Sequence, residues 1–87
     1  MSLNKQEPFL YTITSGQTLT ITNARSVSVL ASGGTATIVN SVSQTMTIPD
    51  ATTLEVTADT GNTLQQLVIT AQTSAYVVMI GGNGLIS

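Results

Sequence analysis

Apolar and hydroxyl-bearing side chains alternate with a period of two along most of the chain. That spacing puts successive side chains on opposite faces of an extended strand. In residues 9–14, Tyr11 and Ile13 fall on one face and Thr12 and Thr14 on the other. Thr18–Thr22 repeats the pattern with Leu19 and Ile21 inward, and residues 26–31 with Val27, Val29 and Ala31 inward. Residues 35–39 (Ala36, Ile38), Thr45–Ile48 (Met46, Ile48), 53–58 (Leu54, Val56, Ala58) and 67–70 (Leu67, Ile69) continue it, with 63–66 as a weaker stretch. Polar turn residues separate the segments, at 15–17, 23–25, 40–44, 49–50 and 59–62. Ser32, Gly33 and Gly34 read as a hairpin turn, because glycine supplies positive φ without steric cost.

The last apolar stretch differs. Ser74–Ile80 runs Ala75, Tyr76, Val77, Val78, Met79, Ile80 without a polar break, and stops at Gly81, Gly82, Asn83 and Gly84. It is too short for a membrane helix, which needs about 20 apolar residues. A run of this kind between turn signals predicts a central strand covered on both faces. About eight short strands, spaced some ten residues apart, predict an all-β fold: a small antiparallel sandwich, barrel or jelly roll. The division expected is an N-terminal arm over residues 1–8 and a single β domain over 9–87.

Composition changes the picture by what it withholds. The chain has 87 residues, no cysteine, no histidine and no tryptophan. A domain of this size buries only about 60% of its unfolded surface, and without disulfides or metal it commonly leans on association. Charged residues make up 7% of the chain, two basic and four acidic, for a net charge of −2. About 25% is usual in soluble proteins. Nothing here forms a basic patch, so neither nucleic acid nor a membrane surface is an expected partner. No apolar stretch follows Lys5 and Glu7, so a secretory signal is not expected.

Candidate chemistry is sparse. General acid–base or nucleophilic catalysis needs a tuned titratable group or a hydroxyl beside a base. The sole lysine, Lys5, lies in the arm, and the carboxylates Asp50, Glu55 and Asp59 fall in turns or on an outward face. The reading is therefore a protein without catalytic residues, metal ligands or a cofactor. An enzyme would need two of those three carboxylates in one deep pocket. Thr-x-Thr pairs recur at Thr12/Thr14, Thr18/Thr20/Thr22, Thr35/Thr37 and Thr45/Thr47, without the fixed period a solenoid requires. They read as uncharged solvent-facing strand residues. The candidate self-assembly interface is the set of large apolar residues at the two ends of the pattern: Phe9, Tyr11, Tyr76, Val78 and Ile80. A carbohydrate-binding module is the rival, and it would show Tyr11 or Tyr76 in a concave site. A secreted fibre or adhesin subunit is another, and it would leave an edge strand open for donation.

In texture, residues 11–22 (Tyr-Thr-Ile-Thr-Ser-Gly-Gln-Thr-Leu-Thr-Ile-Thr) and 26–38 (Ser-Val-Ser-Val-Leu-Ala-Ser-Gly-Gly-Thr-Ala-Thr-Ile) resemble the small Thr/Ser-rich all-β virion proteins of tailed bacteriophages, the capsid decoration and head-fibre subunits. The likeness covers nearly the whole chain but carries no diagnostic motif. It implies a non-enzymatic homo-oligomer, often a trimer, assembled in the host cytoplasm and docked on the major capsid protein or another virion protein. The arm, with Leu3, Lys5 and Glu7, would be its anchor.

Overall fold

Ser74–Ile80 is the strand against which half the molecule is laid. In the computed structural model, which describes residues 7–87, it is the eighth of nine strands, with β1 on one side and β3 on the other. The strands are β1 (Pro8–Thr14), β2 (Thr18–Thr22), β3 (Ser26–Ser32), β4 (Ala36–Val39), β5 (Thr45–Ile48), β6 (Thr53–Thr57), β7 (Leu67–Ala71), β8 (Ser74–Ile80) and β9 (Asn83–Ile86). They form two antiparallel sheets, sheet A in the order β1-β8-β3-β6 and sheet B in the order β5-β4-β7-β2-β9. Residues 63–66 are not a strand.

The pairing is nested. β1 pairs with β8, β2 with β7, β3 with β6 and β4 with β5. The chain is thus one long hairpin whose tip is the β4–β5 loop, rolled up so that β3 also meets β8 and β4 meets β7. This is jelly-roll connectivity within a sandwich. All connections except β4–β5 pass from one sheet to the other.

Two sequence expectations are corrected by this winding. Gly33 does adopt the positive φ, +80°, but β3 and β4 lie in different sheets, so residues 32–34 make a crossover and not a hairpin. The glycine cluster after β8 does not end the structure either. Gly81 and Gly82, both at positive φ, reverse the chain so that β9 can pair with β2, which raises the count from eight strands to nine. Gly82 is confined as well as bent: a Cβ there would lie 2.5 Å from the Thr22 carbonyl oxygen and 2.6 Å from the Ala24 nitrogen.

Between the sheets the inward positions interdigitate. Ile13, Leu19, Ile21, Val27, Val29, Ile48, Ile69, Val77 and Met79 are fully buried, and among the described residues no polar side chain is buried with them. At one end of the sandwich the β3–β4, β5–β6 and β7–β8 loops lock together. The Gly33 N–H donates to Asp50 Oδ1 at 2.9 Å, and the Thr35 N–H donates to Gln72 Oε1 at 3.1 Å. The Thr73 hydroxyl donates to the Gly33 carbonyl oxygen at 3.1 Å. Three loops distant in sequence are thereby tied by short hydrogen bonds, each worth about 1 kcal/mol.

Candidate interaction surface

The two outer faces of the sandwich are built differently. On sheet B, register aligns Thr18, Thr70, Thr37 and Thr47 in one row across four strands, with the Thr37 and Thr70 hydroxyls hydrogen-bonded, while the neighbouring row, Leu85, Thr20, Val68, Val39 and Thr45, mixes threonine with aliphatic side chains, Leu85 on edge strand β9 being 67% exposed. Pairs without a period along the chain thus become aligned in space. On sheet A the corresponding face carries hydrocarbon. One row reads Leu10, Val78, Ser28, Glu55, the next Thr12, Tyr76, Leu30, Thr53, and the third Pro8, Ile80, Ser26, Thr57.

Leu10 is 73% exposed, Tyr76 48% and Val78 40%, with Leu30 and Ile80 half-buried beside them. The charged member of these rows is Glu55, at the far edge on β6. β8 is therefore central, as its sequence predicts, but covered on one face only. Ala75, Val77 and Met79 enter the core, while Tyr76, Val78 and Ile80 form the middle of an open apolar patch. The unbroken run reflects two apolar faces, one of which has no cover among the described residues.

The structure divides the candidate interface residues. Tyr76, Val78 and Ile80 share the outer face, and register adds Leu10 and Leu30, which a single-strand pattern could not assign to it. Phe9 and Tyr11 point to the opposite side of β1, opposite Met79 and Val77. Tyr11 packs on the core, its ring lying over Gly84 so closely that a Cβ at Gly84 would come within 2.6 Å of the phenolic oxygen. It closes the β1–β9 side of the sandwich and is not part of the patch. Of the arm residues, Glu7 is exposed, and Leu3 and Lys5 lie outside the described residues.

The opposite side, between β6 and the β4–β5 hairpin, stays open. There a cleft of about 470 Å³ is lined by Ile38, Met46, Leu54, Val56 and Leu67, with Asn40, Gln44 and Thr45 also on its wall. Asn40 holds the hairpin tip in shape. Its Oδ1 accepts from the Val42 and Gln44 N–H groups at 3.1 and 2.9 Å, and its Nδ2 donates to Gln44 Oε1 at 2.9 Å. None of Asp50, Glu55 and Asp59 lines this cleft; all three are exposed, on the β5–β6 turn, the outer face of β6 and the β6–β7 loop. Neither tyrosine lines it. Among the described residues, no three acidic side chains converge as metal ligands would.

No family model, curated protein or solved structure matches this chain.

Proposed function

We propose that this chain is a non-enzymatic virion structural subunit of the capsid-decoration or head-fibre kind. In this reading it acts by associating with copies of itself and by docking on a larger protein shell such as the major capsid protein. The observation that carries the reading is the contrast between the two outer faces. Sheet B meets water mostly with threonine, with Val39 and Val68 half-buried and Leu85 exposed among it; sheet A carries Tyr76, Val78 and Ile80 on its inner strand β8, flanked by Leu10 on the edge strand β1 and Leu30 on β3. A face meant for solvent has no need of that hydrocarbon, whereas a face meant for protein gains from every ångström squared it removes from water.

Sheet A spans about 19 Å across its four strands and 23 Å along the longest, roughly 440 Å² in projection. Such a face supplies much of the ~800 Å² per partner found in a stable interface. The low charge supports the same reading, since copies with few ionised groups repel one another weakly. The resemblance to phage virion proteins adds the setting, and jelly rolls serve in viral capsid domains. They serve in lectins too, so that second support is one of fold analogy alone.

The test is molar mass by sedimentation equilibrium across a concentration series. A closed oligomer that dissociates when Val78 is made acidic supports the reading. A solitary chain at all concentrations refutes self-association. Specific binding on a glycan array that is lost in Tyr76→Ala would replace the reading with the carbohydrate-binding one, for which the exposed Tyr76 ring beside Thr12 is the relevant observation.

A further inference from the structure

We propose that two copies join edge to edge along β1, antiparallel about a two-fold axis at Tyr11, so that their A sheets become one eight-stranded sheet. The inference rests on the self-association reading and gives it a contact separate from the outer face of sheet A.

Exposed hydrocarbon is gathered around this edge. Among the described residues, six of the eight exposed large apolar side chains lie on β1, β8 or β9: Phe9, Leu10, Tyr76, Val78, Leu85 and Ile86. Two of them point inward and are still uncovered. Phe9 is on the core side of β1 but 45% exposed, and Ile86 pairs with buried Leu19 but is 38% exposed. β1, β8 and β9 carry no charged residue. Edge strands that must stay single usually carry a charge that blocks pairing with another chain.

Thr14 shows which backbone groups of β1 face away from β8. Its N–H donates to Gln17 Oε1 at 2.9 Å and its carbonyl oxygen accepts from the Gln17 N–H at 3.0 Å. In an antiparallel ladder these directions alternate along the strand. The N–H and C=O groups of Leu10 and Thr12 therefore face the same way, to the side where β1 has no neighbouring strand. Pro8 has no N–H to give and Thr14 is engaged, so a second strand pairs with the two residues between. That edge is complementary to itself. With Leu10 opposite Thr12 of the second copy, and Thr12 opposite its Leu10, four N–H···O bonds close the seam. In this register Phe9 faces Ile13 of the second copy and the two Tyr11 rings meet at the axis, all on the core side.

The other edges suit this role less. β6 has Glu55 at its centre, which full-length symmetric pairing would set against the same residue of the second copy. β5 and β9 have four residues each, against seven in β1. A two-fold contact also closes on itself, whereas β1 laid against β6 of another copy would leave an edge free for the next. Joining at β1 doubles the outer face of sheet A to roughly 880 Å² in projection, which reaches the ~800 Å² per partner of a stable interface.

The experiment uses the absence of native cysteine. Full-length Leu10→Cys and Thr12→Cys chains are purified separately, checked for native circular dichroism, and mixed in a glutathione redox buffer. Both positions are exposed, Leu10 at 73%, so neither change disturbs the core. Covalent dimer is read on non-reducing gels and by mass spectrometry. Directly opposed residues of a hydrogen-bonded pair have Cα atoms about 5.5 Å apart, within disulfide range, whereas diagonal pairs at about 7–8 Å are beyond it. The mixture is expected to give the covalent dimer, and each chain alone to give none. No covalent dimer in the mixture overturns the proposal. So does a cross-link between Leu10→Cys and Glu55→Cys chains in its place, which would mean that β1 meets β6 of another copy. The same mixture made in the Val78→Glu background keeps its yield, so the outer-face reading and the β1 seam fail separately. Loss of the cross-link there also overturns the proposal.

Discussion

Val78→Glu is the substitution that separates what the fold needs from what the outer face of sheet A does. In the isolated chain its cost is moderate. Val78 is 40% exposed, so of the 1.5–3 kcal/mol of full burial about 0.9–1.8 kcal/mol is already drawn by the fold and about 0.6–1.2 kcal/mol is still to be gained in a partner. Strand preference takes at most about 1 kcal/mol, since glutamate is a poorer β-former than valine. Glu55 sits in the same row two strands away, with Ser28 between. At about 10 Å in water two carboxylates repel by roughly 0.4 kcal/mol, and physiological salt screens most of that.

In an assembly that covers the face the balance reverses. A carboxylate buried without a partner costs about 3–5 kcal/mol, or between two and four powers of ten in the dissociation constant. Sedimentation equilibrium gives the mass, and thermal unfolding followed by circular dichroism at low concentration gives the fold. The expected pair of results is dissociation by at least a hundredfold, with the folded monomer losing about 1–3 kcal/mol. An unchanged oligomer in Val78→Glu refutes the assignment of this face, and global unfolding at room temperature refutes the statement that the outer side of β8 is dispensable for folding.

The fold itself yields three further expectations. Gly82→Ala should destabilise by about 3 kcal/mol or more in urea unfolding, because the positive φ disfavours a side chain and the new methyl group would overlap the backbone of Thr22 and Ala24, neither of which can swing aside. Ile69→Ala, at a fully buried position on the central β7, should cost about 2–5 kcal/mol, whereas Val68→Ala on the neighbouring outward position should cost less than about 1 kcal/mol. Asp50→Ala removes the acceptor that joins the β5–β6 turn to the β3–β4 crossover and should cost about 1 kcal/mol, with faster hydrogen exchange at the Gly33 amide as its local signature.

Local chemistry by itself determined the class of the fold and most of its strands. Period-two alternation in Thr18–Thr22 and Thr45–Ile48, and between the turns elsewhere, marks eight of the nine strands and most of their inward positions, because successive side chains of an extended chain fall on opposite faces, although Met46 of β5 is 57% exposed. It also marked Ser74–Ile80 as central and pointed to Tyr76, Val78 and Ile80 as candidates for contact. What it could not carry was partnership. Alternation is the same whichever sheet a strand joins, so Gly33 announced a turn without saying that the turn crosses the sandwich. β9, with a glycine in its middle, becomes a strand only because β2 is there to pair with it. Tyr11 and Val78 look equivalent along the chain. The nested pairing of β1 with β8 sends one over Gly84 and the other to the surface beside Leu10. Register between strands far apart in sequence is a property of the whole packed molecule, and only the tertiary structure could decide which apolar residues hold the core and which are left facing outward.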